Sequence, residues 1–170
     1  MKRPDLALVP PFFHKYINLV QGDDLNALLT QNQNEIQIFL ADIPEEKWMF
    51  RYAQGKWSIR ELVQHLTDTE RIFTYRALCF SRGETQPLPG FDENTYAAAS
   101  RADSRTKQHL LDEWNAVRQA TVLLFQGLDE PALEQTGTAN NNPISVRAIG
   151  FIIAGHALHH KNVLQEKYLP

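Results

Sequence analysis

The chain has 170 residues, 43% of them hydrophobic and 22% charged, with a net charge of −3 at pH 7. That length suits one domain with a full core, and a single cysteine, Cys79, excludes an intrachain disulfide framework or a Cys-rich zinc ribbon. The acidic balance argues against a general nucleic-acid binder, and no apolar run reaches the roughly 18 residues that mark a membrane span. In chain order, residues 12–20 predict a short helical turn. The first long helix is expected over 24–40, with Leu25, Leu28, Leu29, Ile36, Phe39 and Leu40 on its apolar face. Asp23 or Asp24 caps it and Ile43-Pro44 closes it. The second begins at Ser58, where Ser58 and Glu61 have the spacing of a capping box, and ends at Gly83. Its stripe is Ile59, Leu62, Val63, Leu66, Phe73, Ala77 and Phe80. The third covers 104–128, with Leu110, Leu111, Trp114, Val117, Thr121, Leu124, Phe125 and Leu128 inward. Residues 138–142 read as a polar loop, and Asn142-Pro143 opens a fourth helix that runs to Tyr168.

No strand alternation is visible, so the expected class is all-α, a four-helix bundle. Helix–helix connections in bundles usually take about 2–8 residues, and the stretch from Gly83 to Asp103 is far longer. It reads as an ordered strap that climbs the bundle and starts the third helix parallel to the second. The opening Met1-Lys2-Arg3-Pro4-Asp5 runs into prolines rather than an apolar segment, so the expectation is a cytoplasmic protein with one domain over 1–170.

Chemistry concentrates on histidines. His156 and His160 lie one turn apart on the fourth helix, within the apolar stripe of Ile149, Ile152, Ile153, Val163 and Leu164. Buried imidazoles without partners cost about 1–3 kcal/mol, and a divalent metal would satisfy both. His65 on the second helix falls at nearly the same height if the second and fourth helices are antiparallel. Three protein ligands leave a coordination position for water or substrate, the catalytic rather than the structural pattern. The plainer reading is that the histidines are satisfied by packing. E-x-x-H and H-E-x-x-H are both absent, which disfavours a ferritin-like di-iron site and a zinc-protease helix. His159 reads as a surface residue or a support to the site, Asp68 as a carboxylate able to orient His65, and Cys79 as packing.

With His65 two turns into its helix, the expected mouth lies at the bundle end where that helix begins. Trp48, Phe50, Arg51, Tyr52, Lys56, Trp57, Phe91, Tyr96, Gln165 and Tyr168 gather there by topology. Two or three of the aromatics are expected to line a pocket, with Arg51 or Lys56 available to an anionic group.

Three stretches resemble the DinB-like (DinB/YfiT-like) superfamily of metal-dependent enzymes. They are Gly55-Lys56-Trp57-Ser58-Ile59-Arg60-Glu61 through His65 to Arg71, Pro89-Gly90-Phe91-Asp92-Glu93 to Tyr96, and Gly155-His156-Ala157-Leu158-His159-His160 with Val163-Leu164-Gln165. The likeness covers about 16–168. It implies a left-handed bundle of up-down-down-up topology, and a metal triad of His65, His156 and His160 without substitution. It further implies one nickel or zinc ion, a homodimer, and a small-molecule substrate. Members include thiol S-transferases that use bacillithiol or mycothiol as cosubstrate, and proteins described as hydrolases. The family name reflects damage-inducible expression and implies no polymerase. The expected function is a metal-dependent transferase or hydrolase; the alternatives are a non-catalytic metal or small-ligand binding bundle, or an interaction protein with merely packed histidines.

Overall fold

The computed structural model describes residues 2–169; Met1 and Pro170, the ends of the expected domain, lie outside them. In chain order the elements are α1 (His14–Leu19), α2 (Leu25–Asp42), α3 (Ile59–Ser81), α4 (Glu93–Ala99), α5 (Lys107–Gln126), α6 (Glu130–Glu134), β1 (Thr136–Ala139), β2 (Asn142–Ser145) and α7 (Val146–Val163). The four long helices α2, α3, α5 and α7 form a four-helix bundle. In it α3 packs between α5 and α7, and α2 between the same two from the other side.

Side-chain pairs give the directions. Asp103, just before α5, accepts from Ser58 at the start of α3, and Thr121 far along α5 meets Thr74 of α3, so these helices are parallel. Trp57, before α3, takes the Tyr168 hydroxyl from beyond the end of α7, while Gly137, shortly before α7, abuts Phe80, so α3 and α7 are antiparallel. Lys107 reaches the end of α2 and Gln119 meets Gln33, which makes α2 and α5 antiparallel. Leu25 lies against Gly150 and Glu35 pairs with Lys161, so α2 and α7 are parallel. The order is up, down, down, up.

Local sequence explains the helix starts. Asp24 accepts from the amides of Asn26 and Ala27, Thr106 from His109, and Ser58 forms the capping box with Glu61; each satisfies amides that the first turn leaves unpaired. The apolar stripes build two clusters, one around Leu29, Phe125, Phe151 and Ile152 and one around Trp48, Ile59, Trp114 and Leu164. A buried polar layer sits across the bundle. Arg118 donates to both oxygens of Glu70 at 2.7 and 2.8 Å and to the Asn32 carbonyl, while Asn32 donates to the Ala154 carbonyl at 3.4 Å.

Two expectations are corrected. The fourth helix does not open at Asn142-Pro143: Asn142–Ser145 is a strand paired antiparallel to Thr136–Ala139, and the helix starts at Val146 with Ser145 as its cap. Asn140 and Asn141 have φ of 49° and 60°, the left-handed pair that a two-residue type I′ hairpin turn demands and asparagine tolerates. The polar stretch is therefore a hairpin, too short to display alternation. The strap from Gly83 to Asp103 also contains a helix of its own, α4, capped by Asp92. It is tied to the hairpin by Leu88 N–H to the Thr138 carbonyl and Asn140 N–H to the Leu88 carbonyl, at 2.9 and 3.0 Å.

Candidate metal centre

Antiparallel packing of α3 on α7 brings His65 to His156 and His160. The Nε2 atom of His156 lies 3.1 Å from Nε2 of His65 and 3.1 Å from Nε2 of His160. The ligand atoms of all three lie within 4.8 Å of one another. His65 and His156 are each 8% exposed. Burial lowers the His65 pKa to about 4. It also holds His156 and His160 well below the ordinary histidine range, where repulsion among the rings adds to it. All three are neutral imidazoles at pH 7.

This arrangement fits a divalent ion. A neutral imidazole nitrogen carries either one proton or one lone pair, so His156 Nε2 cannot make two good hydrogen bonds to two converging nitrogens. Three lone pairs directed at one cation resolve the conflict. Tetrahedral zinc with nitrogens at about 2.0–2.1 Å places them roughly 3.3 Å apart, close to the two 3.1 Å spacings about His156. With Nε2 as ligand the proton sits on Nδ1. In His65 that atom lies 3.4 Å from Thr69 Oγ1, whereas the buried Nδ1 of His160 has no partner among the described residues.

The triad lines one wall of a cavity of about 390 Å³ on the flank of the bundle. Along α3 its wall is His65, Thr69, Phe73 and Arg76, a single helical face; along α7 it is Ile149, His156, His159 and His160. Phe13 and Tyr16 close it from one side, and Gly90, Phe91 and the hairpin from another. Tyr16 meets the rings of His156 and His159 edge-on, each at 5.3 Å. Trp57 lies 4.7 Å from the His65 ring.

The other singled-out residues divide. Trp57, Phe91 and His159 line the cavity. His159 is half-buried rather than a surface residue, and burial, then Lys15, lowers its pKa. Tyr96 packs on Phe91 at 5.3 Å but lines an adjoining cleft. Asp68 does not reach His65: it accepts from Gln64 at 2.8 Å and faces Arg71 at 3.7 Å, and Thr69 takes the place expected for it. Arg51 is not available to a ligand, because it pairs with Glu61 and Asp103 and donates to the Lys56 carbonyl. Of the stretch 48–57 that leads into α3, Trp57 alone lines the cavity. Trp48 is fully buried at the bundle end, and Phe50 and Tyr52 pack edge-on against Tyr168, sealing the end.

Sequence reasoning missed Tyr16, Thr69, Phe73, Arg76 and the hairpin asparagines. The i, i+4 spacing of 65, 69 and 73 was a signal for the α3 face. Nothing local marked Tyr16.

A family model described as the DinB superfamily matches residues 28–164. A protein of Oceanobacillus iheyensis named "putative metal-dependent hydrolase" is 25% identical over 144 residues, covering 81% of this chain and 82% of that one. Among solved structures, YfiT from Bacillus subtilis, titled a probable metal-dependent hydrolase with an unusual four-helix bundle topology, superposes with a TM-score of 0.74 at 15% identity. That match covers 96% of this chain and 90% of YfiT. The mycothiol-dependent maleylpyruvate isomerase superposes with a TM-score of 0.70 at 11% identity, over 86% of this chain and 61% of the isomerase. Among the described residues no helix is long and apolar enough to cross a membrane.

Proposed function

This chain belongs to the DinB superfamily, and from that premise we propose that it is a divalent-metal-dependent enzyme acting on a small molecule. His65, His156 and His160 are its ligands through Nε2. The observation that carries this reading is the convergence of three neutral imidazoles, His65 and His156 buried and His160 partly so, through Nε2 on the wall of a cavity. Nickel and zinc both suit an all-imidazole donor set. A divalent ion held there supplies Lewis acidity, which polarises a carbonyl or lowers the pKa of a nucleophile.

The chain's own groups do the rest. Thr69 fixes the His65 ring through Nδ1, the orienting contact that ligating histidines need. Tyr16, Trp57, Phe73 and Phe91 shape an apolar chamber that limits water and raises the effect of every charge in it. His159 is the fourth imidazole on the wall; neutral at pH 7, it is available to accept a proton from the nucleophile. The reaction is hydrolysis or transfer to a thiol. The name of the Oceanobacillus relative favours the first, and the mycothiol dependence in the isomerase's title lends support to the second. A single cytoplasmic domain working as a homodimer, with a low-molecular-weight thiol as cosubstrate in the transferase case, completes the proposal.

The test is metal content of protein purified without chelator or histidine tag, followed by assays of ester, amide and thiol-transfer substrates. About one nickel or zinc per chain with turnover supports the reading. Metal without turnover of any of these substrates favours a binding bundle, and no metal under reconstitution ends it.

A further inference from the structure

Among the described residues three arginines are buried, and two of them are neutralised. Arg118 is held by both oxygens of Glu70, and Arg147 by Glu130 and Glu134 at 2.5 and 2.6 Å. The third, Arg76, is 5% exposed and makes no ion pair among the described residues. It donates one hydrogen bond, from Nη2 to the Pro89 carbonyl at 2.7 Å, and its guanidinium lies 5.4 Å from the Phe73 ring. Its side chain lines the same cavity as the histidines. Burying an unpaired charge is expensive, and proteins rarely do so without a counter-ion. The other charged cavity residues are Lys15 and Glu93, both exposed at the rim, so cations outnumber acids there. Arg76 lies on the helical face of His65 but three turns further along α3, about 16 Å of helix axis.

We propose that Arg76 anchors the acid group of the substrate: the cavity takes an elongated small molecule with a carboxylate or phosphate at one end and its reacting group against the histidines at the other. The reacting end of this assignment rests on the metal reading above; the anion end does not. A guanidinium presents parallel N–H donors that match two oxygens of either acid. The Pro89 contact holds it in place while leaving donors over. Phe13, Phe73 and Phe91 supply the apolar middle of the chamber.

The test uses chelator-treated full-length protein, so that no anion is held by a metal. It is titrated with phenylbutanoate, its uncharged isostere phenylbutanamide, and phenylpropyl phosphate. The readout is the NMR shift of the α3 backbone amides around Phe73 and Arg76, which every variant carries, together with the Arg76 Nε–H resonance, assigned from Arg76→Lys, in the proteins that keep the arginine. We expect a saturable shift with at least one of the two acids and about tenfold weaker binding of the amide, the scale of a lost charge-assisted contact. The acid that binds more tightly identifies the class. Arg76→Met should weaken acid binding by about tenfold while Arg76→Lys retains more of it. If the Met variant does not fold, the wild-type titration and the Lys variant decide. No saturable shift with either acid, or an amide that binds as tightly as the carboxylate, overturns the proposal. Metal-free His65→Ala that still binds the acid keeps the Arg76 assignment even if the metal reading fails.

Discussion

The backbone of Gly155 on α7 is pressed against that of Tyr16 on α1. A β-carbon built at Gly155 would overlap the Tyr16 carbonyl oxygen and stand 3.0 Å from its Cα. The missing side chain lets α1 lie close enough for the Tyr16 ring to wall the cavity beside His156 and His159. With six residues, α1 has no stability as an isolated helix and depends on this docking.

Gly155→Ala is therefore expected to destabilise the protein although alanine is the better helix former by about 1 kcal/mol. Overpacking of this kind costs about 1–3 kcal/mol, and here the obstacle is backbone, which cannot rotate away. Thermal melting should fall, and amide exchange should quicken over His14–Leu19 first. A raised melting temperature would refute the contact's importance.

Each of His65→Ala, His156→Ala and His160→Ala should abolish metal binding, because two imidazoles hold an ion far less well than three. Metal joins α3 to α7 and binds only the native state, so loaded protein should melt higher than chelated protein. At a free metal concentration 100 times Kd the gain is about 2.7 kcal/mol. Stoichiometric metal in all three variants would end the assignment, and so would identical melting after confirmed metal loss end the coupling.

The metal-free protein should lose stability in mild acid. His65 has a folded pKa of about 4, below its unfolded value near 6.5, because burial disfavours the charged ring. Its contribution is therefore complete above pH 6.5 and lost as pH falls toward 4, in total roughly 3 kcal/mol. His156 and His160 are shifted in the same direction and steepen the loss. Urea unfolding of chelated protein at pH 7.5, 6 and 5 measures it. His65→Gln should flatten the profile, and a wild-type profile already flat would contradict the burial argument.

Glu70→Gln should cost far more than a surface substitution. Arg118 is fully buried and its charge is met by Glu70 alone, with Asn32 as a neutral acceptor. Removing one partner of such a pair typically costs about 3–5 kcal/mol, whereas replacing both with apolar groups of matching volume costs much less. Denaturant midpoints of Glu70→Gln, Arg118→Met and the double variant Glu70→Leu with Arg118→Met test this. A double variant no better than the worse single would show that the layer contributes by more than charge pairing.

By itself the sequence determined what depends on near neighbours along the chain. The helical period of Leu25 to Leu40, the Ser58–Glu61 capping box and the one-turn spacing of His156 and His160 act within a few residues, so the four helices and the histidine pair were legible. So was the height match with His65, because rise per residue is constant once two helices are antiparallel. Tertiary structure alone decided what each side chain meets. Arg51 and Arg76 look alike in a sequence, yet Arg51 is consumed by Glu61 and Asp103 while Arg76 is buried without a counter-ion among the described residues. Asp68 lost His65 to Thr69 although both lie within a turn of it, because the Asp68 carboxylate is drawn to Gln64 and Arg71 while Thr69 meets the ring. Tyr16 joined the cavity through a backbone contact with Gly155, a close approach that no periodicity encodes.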